Sequence, residues 1–222
     1  MEHLYTYDHE RQPNLYPMIL TVHPKNPEPR HIARAAEILA AGGIIIYPTD
    51  TVYGIGCSVE DKNAIERIHY IKRQRDDKPF SFVCSDLTHI SEYAHVSNPA
   101  FKIMKHLIPG PYTFILPAAR MKQLPRILVS KRKTVGIRVP DSAITLSLVA
   151  RLGHPILSTS VTSDDGEILH DPATIISTFQ NVVDLIIDGG ILLSEPSTVL
   201  DLTGDEPRVV RSGAGDVSML NI

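Results

Sequence analysis

The run Ile44-Ile-Ile-Tyr47, stopped by Gly42-Gly43 on one side and Pro48 on the other, is too short for a helix and apolar at every position. Such a run is the mark of a buried strand, and a buried strand commits the chain to a sheet with a core packed on it. Amphipathic segments flank it. Ile32, Ala35, Ala36 and Leu39 recur at i, i+3, i+4, i+7, which predicts a helix over 30–41, and Ile65, Ile68 and Ile71 predict another over 62–73. Further helices are expected to open near Asp86, at Asn98-Pro99 with asparagine as the cap, within the stretch 141–153 ending at Gly153, and at Asp171-Pro172. Strands are expected over 18–22, 80–84, 113–116, within KRKTVGIRVP and HPILSTS, and over 182–187, 197–202 and 208–210. Several of these strands are joined too closely for crossover helices. The expectation is therefore an α/β fold with an open, mixed sheet, in one domain over 18–222 after an N-terminal extension of 1–17.

Composition excludes several classes. A formal charge of −3 argues against a protein that coats nucleic acid by bulk electrostatics, so any anion site must be local. Cys57 and Cys84 lack C-x-x-C spacing and sit among apolar neighbours, which fits reduced thiols in the cytoplasm. The ten histidines are scattered singly, and no protein-held metal is expected. No apolar stretch approaches the ~18 residues of a membrane span, so no membrane partner is expected. Oligomeric state has no signature here.

Polar groups gather where strands end. The loop Pro48–Gly56 places Thr49, Asp50 and Thr51 at the carboxyl end of the buried strand, the side on which open α/β sheets bind ligands; the same hydroxyls could equally satisfy an ordinary turn. Arg67, Lys72, Arg73, Arg75 and Lys78 crowd a helix end, as a solvated terminus or as a seat for a polyanion. Arg138 follows Val135 and Ile137 inside a strand, where an arginine pairs with a carboxylate, either structural or from a substrate, and Gly136 would admit something close to the backbone. No Ser-His-Asp arrangement, H-E-x-x-H or Walker-type loop occurs.

The blocks YPTDTVYGIG, Lys72–Pro79 with its K-x-x-x-x-x-K-P spacing, PGPYTFIL, TVGIRVP, IIDGG, STVLDL and VVRSGAGD occur in one order from about Pro24 onward. In this the chain resembles the Sua5/YrdC/YciO family, nearest the YciO branch. The resemblance implies a twisted open sheet with a basic concave face. It also implies an L-threonylcarbamoyladenylate synthase, which joins L-threonine, bicarbonate and ATP, releases pyrophosphate and serves the t6A modification of tRNA; Mg²⁺ would arrive bound to the nucleotide. The alternative it carries is a module binding tRNA or double-stranded RNA in the basic cavity without adenylate chemistry. Residue by residue, it implies Lys72, Arg73 and Arg75 as catalytic cations, with Thr51 and Arg138 on the substrate threonine. Lys78, Thr134, Ser158, Ser160 and Arg211 would bind the nucleotide. Gln74 shifts the arginine register of the synthases, Val83 stands in place of a histidine, and Ser160 in place of an asparagine.

Overall fold

A computed structural model describes residues 17–73, 80–119 and 133–218. The elements run β1 (Met18–Thr21), α1 (Pro29–Ala40), β2 (Ile44–Tyr47), β3 (Gly54–Ser58), α2 (Lys62–Arg73), β4 (Ser81–Val83), α3 (Leu87–Ser91) and α4 (Asn98–Leu107). They continue with β5 (Tyr112–Pro117), β6 (Thr134–Arg138), α5 (Ala143–Leu152), β7 (Ile156–Ser160), α6 (Pro172–Phe179), β8 (Leu185–Asp188), β9 (Thr198–Asp201) and β10 (Arg208–Arg211). Among the described residues the strands form one sheet in the order β1-β8-β2-β3-β7-β4-β6-β5-β9-β10. The sheet is mixed, as the short connections require: β8 runs parallel to β1 and β2, whereas β3 is antiparallel to both β2 and β7.

Helix boundaries follow local chemistry. Ser142 caps α5 through the Thr145 N–H, and Gly153, at φ +82°, ends it in the left-handed conformation that a glycine adopts without strain. At α4 the cap is Ser97 rather than Asn98: the serine hydroxyl accepts from the Ala100 N–H three residues on, which draws Asn98 into the first turn. The strand expected over 182–187 begins only at Leu185. Val182 and Val183 instead donate their backbone N–H groups to the Phe179 carbonyl and close the turn after α6.

Strand alternation sorts the core onto two faces. On the first, Ile44, Ile46, Ile55, Phe82, Phe114, Ile137 and Leu157 pack with Ile65 and Ile68 of α2, Met104 of α4 and Ile175 of α6. On the second, Ile45, Tyr47, Val83, Ile156 and Leu185 pack with Ile32 and Leu39 of α1 and Ile144 and Leu148 of α5. That second apolar cluster stops at Val83. Beyond it the same face carries a row of small and polar groups, Gly56, Ser158, Ser81 and Gly136, opposite one another across four neighbouring strands and closed by Ile115 on a fifth.

The two glycines of the YGIG stretch have a structural cause. Tyr47 lays its ring along β3, so a Cβ on Gly56 would come to 3.2 Å from that ring, 2.6 Å from the Ile156 Cγ2 and 2.9 Å from the Leu157 carbonyl oxygen. Gly56→Ala should therefore overpack a fully buried position. We expect it to cost about 1–3 kcal/mol, read as a lowered midpoint in chemical denaturation.

Candidate functional site

Arg138 is the last residue of β6, and because Val135 and Ile137 face the first core, it emerges on the second face beside Gly136. Its side chain is only 11% exposed. The Nη2 nitrogen donates to Asp50 Oδ1 at 2.8 Å and to Thr51 Oγ1 at 3.0 Å. Asp50 uses its second oxygen to accept the Asp141 N–H at 3.0 Å, so one carboxylate ties the β2–β3 loop to the segment that follows β6. The Pro48 carbonyl accepts from Thr145 Oγ1 at 2.9 Å, fixing the same loop to α5. Behind Asp50, Thr49 Oγ1 lies 2.7 Å from the Val52 carbonyl oxygen, 3.1 Å from Thr51 Oγ1 and 3.1 Å from the Thr51 backbone nitrogen.

Burial dominates the electrostatics. It pulls the Arg138 guanidinium below its usual range, while Asp50 and then Tyr47 oppose the shift. It likewise pushes the Asp50 carboxyl above the usual carboxylate range against the pull of Arg138. Both members of the pair shift toward neutrality, so their mutual attraction does not fully offset their desolvation. Arg138 Nε is buried with no hydrogen-bond partner among the described residues. Burial lowers Arg211 below its usual range, and the charge of Arg138 adds to the shift.

Arg211 donates through Nη2 to the Ser197 carbonyl at 2.7 Å, and Ser197 Oγ lies 2.7 Å from Thr113 Oγ1. Thr198 Oγ1 gathers the SGAG turn, accepting from the Gly213 and Gly215 N–H groups at 3.0 Å each and donating to the Gly215 carbonyl at 2.7 Å.

The residues singled out in the sequence are thus partly assembled. Thr51 and Arg138 touch, although Thr51 is 0% exposed and turns its hydroxyl to the guanidinium and Thr49. Ser158 lies in the small-residue row but commits its hydroxyl inside the protein, accepting from Tyr47 OH at 2.8 Å and donating to the Ile55 carbonyl at 3.2 Å. Ser160 stands half-buried opposite Gly54 at the end of β7, and Thr134 opposite Pro117 at the far end of β6 from Arg138. Lys72 and Arg73 belong to the last turn of α2, whose side chains there lie outside the described residues, as do Arg75 and Lys78 altogether. Thr49, read in the sequence only as one hydroxyl of the loop, stands directly behind Thr51, and Asp141, Ser197 and Thr198 join the site without having been singled out. For Ser197 and Thr198 the hydroxyl pair itself was the one local signal. Among the described residues no cluster of three His, Cys, Asp or Glu side chains could hold a metal, and no helix is long and apolar enough to cross a membrane.

Comparison with known proteins covers most of the chain. A family model for Sua5, YciO and YrdC proteins, described as "Telomere recombination", matches residues 37–213. YciO of Escherichia coli K12, itself uncharacterized, is 48% identical over 198 residues, covering 88% of this chain and 95% of that protein. The crystal structure of E. coli YciO superposes with a TM-score of 0.85 at 46% identity, over 92% of this chain and 99% of that one. A threonylcarbamoyl-AMP synthase of Pyrococcus abyssi is 30% identical over 181 residues, which is 81% of this chain and 53% of the synthase. The crystal structure of P. abyssi Sua5 complexed with L-threonine matches with a TM-score of 0.78 at 29% identity, over 88% of this chain and 57% of that one.

Gly136, unlike Gly56, is not held to glycine by packing. A Cβ there would meet nothing nearer than 3.4 Å, an ordinary contact. Gly136→Ala should hold stability within about 0.5 kcal/mol, since the strand loses no packing. Affinity for a ligand lying on the β6 backbone should nevertheless fall, as measured by calorimetric titration beside a thermal melt.

Proposed function

Because the chain belongs to the Sua5/YciO/YrdC family, we propose that it is an L-threonylcarbamoyladenylate synthase, making threonylcarbamoyl-AMP and pyrophosphate from L-threonine, bicarbonate and ATP for the t6A modification of tRNA. The observation that carries the reading is Arg138: a buried guanidinium, gripped from one side through Nη2, with Nε unpaired among the described residues and Arg211 within electrostatic reach. The synthase named among the relatives and the threonine-bound Sua5 structure support it.

In this reading the threonine carboxylate docks on Arg138, which leaves the amine free to combine with bicarbonate, losing water to give the carbamate. A carbamate oxygen then forms a bond to the α-phosphorus of ATP, the α–β bridging P–O bond breaks, and pyrophosphate leaves. A transition state so rich in negative charge is stabilised chiefly by fixed donors and cations. Arg211, Lys72, Arg73, Arg75 and Lys78 are the cations assigned to the nucleotide side, with Thr134, Ser158 and Ser160 beneath it. Mg²⁺ would enter on the phosphates; the Asp50 carboxylate is already committed to Arg138 and the Asp141 N–H.

Pyrophosphate release from ATP should require threonine and bicarbonate together, since neither alone supplies the nucleophile. Release at an equal rate without threonine would overturn the assignment. Arg138→Ala should raise the threonine requirement by the roughly 2–5 kcal/mol lost when one partner of a buried charge pair is removed, while the ATP requirement moves far less.

A further inference from the structure

The hydrogen bonds behind Arg138 have a direction that can be read without seeing a proton. A carbonyl only accepts, so the 2.7 Å contact between Thr49 Oγ1 and the Val52 oxygen spends the single Thr49 proton. Thr49 must then accept at its two other contacts, from the Thr51 N–H and from Thr51 Oγ1. The Thr51 proton is thereby committed to Thr49, and Thr51 meets the guanidinium as an acceptor. The chain runs one way: Arg138 to Thr51 to Thr49 to the Val52 carbonyl. Both N–H bonds of Nη2 are fixed by it, one to Thr51 and one to Asp50. All of this occurs in a buried turn, with Thr49 8% and Thr51 0% exposed.

We propose that Thr49 is a positioning residue for Arg138. It acts by holding the Thr51 proton away from the guanidinium, so that Nη2 stays locked and the remaining nitrogens of Arg138 face the substrate carboxylate in a fixed orientation. The proposal rests on the synthase reading for the identity of that carboxylate. Without the Thr49 hydroxyl, the buried Thr51 proton is released beside Asp50, the carboxylate that already accepts from Nη2, and the two donors compete for it. The Thr51 N–H loses its acceptor as well.

The test compares Thr49→Val, Thr49→Ala and Thr49→Ser in the full-length protein, with folding checked by thermal melt. In the ligand-free wild type, nitrogen-15 NMR of the arginine side chains should show distinct, slowly exchanging Arg138 Nη2 protons. They should average in Thr49→Val and Thr49→Ala and reappear in Thr49→Ser. By calorimetry, L-threonine should bind about three- to tenfold more weakly to the first two variants, the equivalent of one neutral hydrogen bond, with ATP affinity within about twofold and serine restoring threonine binding. Unchanged Arg138 signals in a folded Thr49→Val or Thr49→Ala, or equal losses of threonine and ATP affinity, would overturn the proposal. If wild-type protein binds no threonine, the synthase reading falls, while the ligand-free Arg138 signals of the variants still decide whether Thr49 holds the guanidinium.

Discussion

A guanidinium taken out of water must be compensated, and Arg138 sets the terms for everything around it. The carboxylate it meets, Asp50, lies 88 residues away in sequence, and the pair closes only if the β2–β3 loop folds over the end of β6. Asp50 therefore has two obligations, to Nη2 and to the Asp141 N–H, and Pro48 has a third, to Thr145. These bonds convert a turn rich in hydroxyls into a rigid wall. The arginine itself stands on a central strand, a more exact support than a loop. Burial still shifts both partners, so Asp50 compensates that desolvation only in part.

The wall would be useless if the floor beside it were filled. On the second face, α1 and α5 cover one half of the sheet with apolar side chains as far as Val83. Where that cover ends, the strands turn to Ser81, Ser158 and Gly136, which lie opposite one another on three neighbouring strands. Tyr47 marks the border. Its ring needs the two glycines of β3 beneath it, and its hydroxyl, pushed up to about 12 by burial and so uncharged, orients Ser158. One set of small residues thus serves packing at Gly56 and openness at Gly136, although the sequence writes both as the same letter.

That ambiguity explains how much could be read in advance. Helices with strong periodicity, such as α1, were legible because Ile32, Ala35, Ala36 and Leu39 share one face and are buried there. Apolar strands such as β2 were equally plain. β3 was not, because glycines suppress the apolar signal and its partners, Tyr47 and Ile156, lie on other strands. The strand of 182–187 was placed early because two valines look β-like, while the backbone used them to close a helix turn. At the site, Arg138 stood out through its phase within β6, and its need for a carboxylate was clear; which carboxylate it meets depends on long-range closure and leaves no local trace. Thr49 was visible as a hydroxyl of the loop, but its part was hidden for a different reason. Its part depends on the direction of a hydrogen bond, which a residue type cannot specify.

The net charge of −3 bears on what kind of anion such a site can take. A surface that tracks an extended polyanion gathers affinity from many exposed cations and the counterions they release. Here Arg138 is nearly closed from solvent and already bound to a carboxylate, and it feels Arg211 through a partly buried medium. Charge so placed adds little to a long-range field and much to a short-range contact, because water no longer screens it. A small anion that can be desolvated whole, such as an amino-acid carboxylate, gains more from that arrangement than a duplex backbone that must stay hydrated outside. The physical chemistry of the buried pair is therefore consistent with the small-molecule ligand proposed for this face.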